Sequence, residues 1–212
     1  QAVSGASVGA FAVILSMWLA MSVAMMLPSA APMLRTYGDI AHVARGKGEH
    51  TVPLVVLAFG YMLAWTVFAI AASALQISLI ATGIMSDPSV PLTGVVGGTT
   101  LILAGLYQFS SIKDACLEKC RNPFNTLFAK WTTEPSGVFK LGVEQGLFCV
   151  GCCWALMLVM LVVGTMNLAW MAFFTLFAIV EKSGRGKVTS RVAGGILCFW
   201  GGILLTLSFG FY

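Results

Sequence analysis

Residues 141–163 read LGVEQGLFCVGCCWALMLVMLVV, and this stretch decides the class of fold. Glu144 is the one carboxylate in it, and it holds no lysine, arginine or histidine. An α-helix needs about 20 predominantly apolar residues to cross the hydrocarbon core of a bilayer. The stretch meets that requirement, so it predicts a transmembrane helix.

Further stretches of the same character lie on both sides of it along the chain. The predicted spans are residues 8–27, 52–82, 91–109, 141–163, 166–180 and 192–211. The alternating segments of about ten residues that are typical of a transmembrane β-barrel are absent. We therefore predict an all-α fold, a polytopic membrane helical bundle with six transmembrane helices, as a single transmembrane domain over residues 1–212.

The composition of the whole chain agrees with this prediction. Hydrophobic residues make up 58% of the 212 residues and charged residues only 9%, whereas soluble proteins average about 25% charged residues. So few charges could not cover a soluble fold of this size. No basic run alternates with aromatic residues, which argues against nucleic acid as a partner. We expect the lipid bilayer and other membrane protein subunits as partners.

The distribution of positive charge predicts an orientation. All 12 lysines and arginines lie in residues 28–51, 110–140 and 181–191, between predicted spans. With six spans these segments fall on one side, which the positive-inside rule makes cytoplasmic. We therefore expect these basic segments to face the cytoplasm and both ends of this sequence to face outward.

Five of the six cysteines form two compact groups. One group is Cys116 and Cys120, the other is Cys149, Cys152 and Cys153. Residues three or four apart share a face of a helix, so each group lies on one face. The first group is expected on a helix that continues the third span and ends before Pro123. Cys198 stands alone and is most simply a small buried apolar residue.

Other residues of the spans extend this picture. Met21, Met25 and Met26 end the first span on the side of the cysteine groups, and Met157 continues the cysteine face of the fourth. Gly142 and Gly146 have the spacing that lets another helix approach closely. Soft thiolate and thioether ligands select Cu(I), with zinc possible if thiolates dominate.

We therefore predict a metal site for Cu(I), or less readily zinc. Its candidate ligands are Cys116, Cys120, Cys149, Cys152, Cys153, Met21, Met25, Met26 and Met157. Three simpler interpretations stay open: methionine packing, inert buried thiols and a structural disulfide, which cytosolic reductants would disfavour.

Ionisable side chains inside a membrane are costly and are therefore functional candidates. Glu144 is the candidate within a span, while Glu181 and Lys182 close the fifth span. An interfacial charge pair is the simpler interpretation. His42 and His50 lie in the first basic segment, where solvated histidines are expected.

Several motifs resemble those of a known family. They are WLAMSVAMMLP at residues 18–28, KDACLEKCRNP at 113–123, GLFCVGCCWALM at 146–157 and GTMNLAWM at 164–171. Together they resemble a bacterial domain-of-unknown-function family described as predicted metal-binding integral membrane proteins. The Gly-Cys-Cys-Trp segment is the most specific part. The resemblance implies metal binding for this chain and a location in the bacterial cytoplasmic (inner) membrane.

We expect a role in metal handling or delivery and no enzymatic activity. An alternative is a non-catalytic accessory or structural subunit of a larger membrane complex, for example a copper-dependent membrane monooxygenase. A membrane thiol–disulfide enzyme is a third possibility, and it would need an accessible, reactive cysteine.

Overall fold

The computed structural model describes residues 2–85, 94–164, 167–184 and 187–210. Every regular element in these ranges is a helix, which confirms the all-α prediction. The helices are α1 (Ala2–Ser29), α2 (Ala31–Gly46), α3 (Leu54–Ala81), α4 (Gly94–Tyr107), α5 (Ser111–Arg121), α6 (Pro123–Ala129), α7 (Pro135–Val163), α8 (Leu168–Ser183) and α9 (Val188–Gly210).

Four of these helices, α1, α3, α7 and α9, are long and apolar enough to cross a membrane. The pair α4 and α5 forms a fifth candidate, bent by 64°. Helix α8 has 16 residues, fewer than the roughly 20 that a span needs. The described ranges thus support four or five spans rather than six. Residues 91–93, Met166, Arg185 and residue 211, which belong to the predicted spans and basic segments, lie outside those ranges.

The segment after the third predicted span differs from the prediction. The chain bends between Tyr107 and Ser111, so α5 does not continue α4. Ser110 caps the new helix, because its hydroxyl accepts a hydrogen bond from the Ile112 amide at 3.1 Å and so stabilises a fresh helix start. The bend lays α5, with its two cysteines, against α7.

Glycines bring α3 and α7 into close contact. A Cβ atom on Gly142 would collide with the Leu57 carbonyl oxygen, and one on Gly146 would lie 2.6 Å from the Tyr61 carbonyl oxygen. Gly60 on α3 meets α7 backbone in the same way. The prediction of a close helix approach at Gly142 and Gly146 is confirmed. This contact sets Tyr61 against the cysteine-bearing face of α7.

The variant Gly142→Ala should destabilise the protein by about 1–3 kcal/mol, because rigid backbone occupies the space of the added methyl group. Gly202→Ala on α9 is the matched control, since no heavy atom lies within 4 Å of a Cβ there. Thermal unfolding of both variants in one detergent measures the difference. A Gly142→Ala protein that melts at or above the wild-type temperature would contradict the close packing.

A buried ion pair anchors α5 to α8. The Lys113 ammonium lies 2.8 Å from a Glu181 carboxylate oxygen, and both side chains are fully buried. Lys113 also donates to Gln108, and the Ser190 hydroxyl of α9 donates to Glu181 at 2.6 Å. Glu181 is therefore part of an internal network that fixes α5 in place, and it does not form an interfacial pair with Lys182.

Candidate metal centre

Three cysteines of α7 form the centre of the candidate site. The sulfur atoms of Cys149, Cys152 and Cys153 lie within 4.8 Å of one another. Their exposed fractions are only 2%, 1% and 1%. The arrangement follows directly from helical geometry, because residues at i, i+3 and i+4 project from one face. All three are free thiols.

Helix α5 adds a fourth thiol to this cluster. The sulfur of Cys120 lies 3.8 Å from that of Cys152, which in turn lies 3.3 Å from that of Cys153. Cys152 of α7 thus faces Cys120 of α5. The two cysteine groups of the sequence meet here, through Cys120.

Cys116 is placed differently from Cys120. Its sulfur rests against Gly151, where an added Cβ atom would lie 2.7 Å from it. Tyr107 holds the same turn of α7, since its hydroxyl donates to the Gly151 carbonyl oxygen at 2.5 Å. Cys116 lies outside the compact three-cysteine group. We expect it to flank the site.

A lysine and a tyrosine contact Cys149. The Lys182 ammonium donates to the Cys149 sulfur at 3.1 Å and to the Ser29 hydroxyl at 2.7 Å. The Tyr61 hydroxyl lies 3.0 Å from the same sulfur and donates to the Met26 carbonyl oxygen at 3.1 Å. A neighbouring cation stabilises negative charge on sulfur. The site therefore includes a positive charge, the Lys182 ammonium, in contact with one of its sulfur atoms.

A cavity of about 180 Å³ adjoins Cys149. Cys120, Gln145, Lys182 and Met33 also line it. It reaches the surface at the junction of α1 and α2 and at the end of α8. The Gln145 side-chain nitrogen is buried there and has no hydrogen-bond partner within the described ranges.

The predicted methionine ligands lie in the protein core. Met21, Met25, Met26 and Met157 are all buried and belong to the same hydrophobic cluster as the cysteines. Met26 is linked to the site through the hydrogen bond from Tyr61. Coordination by these thioethers stays a prediction.

Sequence reasoning missed three contributors to the site. Tyr61 lies in an apolar stretch, and nothing in its sequence context indicates a functional role. Lys182 is a charged residue at the end of an apolar stretch, and the interfacial interpretation does not place it at the metal site. Met33 follows the two prolines after the first span and could have been included with the other methionines.

The remaining ionisable candidates lie at the surface. Glu144 pairs with Lys130 at 2.6 Å, and both side chains are partly exposed. This fits the interfacial interpretation for Glu144. His42 and His50 are exposed, as expected.

One comparison with known proteins gives a match. A protein-family model described as "PpoB2: Copper chaperone" matches residues 15–204, which include both cysteine groups. Comparison with curated proteins and with solved structures finds no match.

Proposed function

We propose that this chain, which belongs to the PpoB2 copper chaperone family, binds Cu(I) and passes the ion to an acceptor. The observation that carries the proposal is the group of three buried thiols within 4.8 Å of one another. Thiolates are soft ligands that suit Cu(I). We assign Cys120, Cys149, Cys152 and Cys153 as the principal ligands. Cys116 and the four buried methionines would be supplementary.

The charge of the site favours a monovalent ion. Cu(I) held by two thiolates carries one negative charge, which the adjacent Lys182 ammonium balances. A tetrahedral zinc ion with four thiolates would carry two negative charges, whereas among the described residues Lys182 is the cation that contacts a sulfur of the cluster. A buried charge without a cation in contact is costly. Zinc is therefore the less favoured cargo.

The arrangement also supports transfer. Four thiols stand around a site in which Cu(I) needs only two or three, so a further thiol is close by when one bond breaks. Ligands can then exchange one at a time without release of the free ion. We propose metal delivery, and no bond-making catalysis, as the role of this site.

Anaerobic titration of the purified whole chain with Cu(I) tests the proposal. We expect one tightly bound Cu(I) per chain that an equal concentration of Zn²⁺ does not displace. The bound ion should pass to an excess of a dithiol acceptor within minutes. Copper that stays bound under these conditions would indicate storage, and a chain that takes up none would overturn the proposal.

We further propose that the chain crosses the bacterial inner membrane with the candidate metal centre towards the cytoplasm. The long apolar helices support this orientation. Hydrogen bonds from Lys182 to Ser29 and from Arg121 to Glu181 bring the three basic segments to one end of the bundle. A protease site inserted after Gly48 should be cut only in inverted vesicles, and one inserted after Gly83 only in right-side-out vesicles. The reverse pattern would contradict the orientation.

A second candidate function is that of an accessory subunit in a larger membrane complex. An apolar groove of about 760 Å³ favours it. Its wall includes Val159 of α7, Phe177 of α8 and Trp200 of α9. Purification in a mild detergent should retain a companion subunit if this function holds, whereas a homogeneous monomer would speak against it.

The thiol–disulfide enzyme has less support. An enzyme that acts on protein thiols needs a cysteine that a protein substrate can reach. The three cysteines of α7 are almost completely buried, and the cavity beside Cys149 measures only about 180 Å³. We expect slow labelling of these thiols by a bulky maleimide in the folded protein. Rapid labelling of any of them would favour the enzyme.

A further inference from the structure

We propose that the cavity beside Cys149 is a docking site for a small anionic thiol that delivers Cu(I) to the cysteine cluster. This inference rests on the proposed function and adds the chemical class of the donor. Its basis is the size of the cavity, the charge of its wall and an unpartnered hydrogen-bond donor in it.

The cavity is large enough, and close enough to the surface, to admit the cysteine-sized part of a small thiol compound. Its volume is about 180 Å³, the space of about six water molecules in the liquid. That space accommodates a cysteine-sized group. Exposed Pro32 and Ser183 lie at its mouth, and the sulfurs of Cys120 and Cys149 lie in its wall. A thiol compound that enters from the surface would bring its sulfur atom next to the protein thiols.

The wall of the cavity is positively charged. Lys182 and Arg121 both line it, and the described residues of its wall include no aspartate or glutamate. The Arg121 guanidinium is held in place by the Glu181 backbone oxygen, at 2.7 and 3.0 Å. Charges interact strongly away from bulk water, so this wall attracts an anionic complex and disfavours a cationic one.

Gln145 supplies a hydrogen-bond donor for the bound thiol compound. Its side chain is 2% exposed, lines the cavity and carries a nitrogen with no hydrogen-bond partner among the described residues. Buried donors nearly always have a partner, because leaving one unpaired is costly. A carboxylate on the incoming thiol would be an acceptor of the right charge.

The transfer is a ligand exchange without oxidation. The donor complex holds Cu(I) between two thiolates, and this copper–sulfur core carries one negative charge in addition to the charges of the donor's carboxylates. Each copper–sulfur bond to the donor breaks as a bond to a protein cysteine forms. The proton of that cysteine goes to the departing thiolate. Two donor thiols leave, copper stays Cu(I), and the protein dithiolate complex carries the negative charge beside Lys182.

Transfer rates from two donors test the inference on the whole chain in lipid nanodiscs. One donor is the Cu(I) complex of glutathione, the other is that of its diethyl ester, in which the carboxylates are masked. We expect transfer from glutathione to be faster by about 10-fold, the effect of one hydrogen bond to a charged group. S-methylglutathione, which keeps the carboxylates but lacks the thiol, should compete.

Two variants test whether the faster transfer from glutathione depends on the cavity. Gln145→Met should remove most of the preference for glutathione while the chain still binds one Cu(I) at equilibrium. Lys140→Gln, which removes an exposed positive charge outside the cavity, is the control for general electrostatic attraction. We expect it to change both rates by less than about twofold, because exposed charges are screened by salt.

The outcomes separate the two proposals. Equal rates from the two donors, or no competition by S-methylglutathione, would overturn the docking site, while one bound Cu(I) per chain would leave the proposed function intact. A chain that accepts Cu(I) from neither donor would overturn both.

Discussion

Cys152→Ser is expected to weaken Cu(I) binding by at least about 100-fold. Cys152 lies between the sulfur of Cys153, at 3.3 Å, and that of Cys120, at 3.8 Å, so its loss interrupts the cluster at its centre. Removing a residue that only orients a metal ligand costs about 10–100-fold in affinity. We expect the loss of a central ligand to reach at least the upper end of that range. Competition with a Cu(I) chelator measures the affinity.

Cys198→Ser is the matched control for this prediction. Cys198 is a half-buried free thiol that packs against α4, and its sulfur lies 3.9 Å from the Ile102 carbonyl oxygen. It is outside the three-cysteine group, so this variant should keep one Cu(I) per chain. An unchanged Cu(I) affinity in a folded Cys152→Ser protein would show that the cluster is not the binding site.

Glu181→Leu should destabilise the protein by about 3–5 kcal/mol, the usual cost of leaving one charge of a buried ion pair without its partner. The unpaired group would be Lys113, which is fully buried and lies 2.8 Å from Glu181 in the intact protein. Thermal unfolding in detergent, followed by size-exclusion chromatography, measures the loss. Because Lys113 anchors α5, we also expect weaker Cu(I) binding through Cys120.

The double variant Lys113→Met with Glu181→Leu is the control for this second prediction. Replacing both members of a buried pair by apolar residues is often neutral. The double variant should therefore recover most of the stability that Glu181→Leu loses. A double variant no more stable than the single one would contradict a structural role for the ion pair.

Local features of the site could be predicted from the sequence. Helical periodicity places Cys149, Cys152 and Cys153 on one face whatever the rest of the fold does, and the structure shows that face. The same holds for Gly142 and Gly146, whose spacing indicates a close helix contact. These predictions succeed because they depend on neighbours within two turns of one helix.

Features that depend on other helices could not be predicted in this way. The spacing of Cys116 and Cys120 does not show which of them reaches α7, because the answer depends on the 64° bend between α4 and α5. The contact of Lys182 with Cys149 joins residues of two different helices.

X-ray absorption at the copper edge is the measurement that tests the central claim most directly. It is applied to the whole chain loaded with one equivalent of Cu(I). We predict a Cu(I) edge and a coordination shell of sulfur only, lost when Cys149, Cys152 and Cys153 are all replaced by serine and kept in Cys198→Ser. A shell of nitrogen or oxygen atoms, or a sulfur shell unchanged in the triple variant, would contradict a copper site at this cysteine cluster.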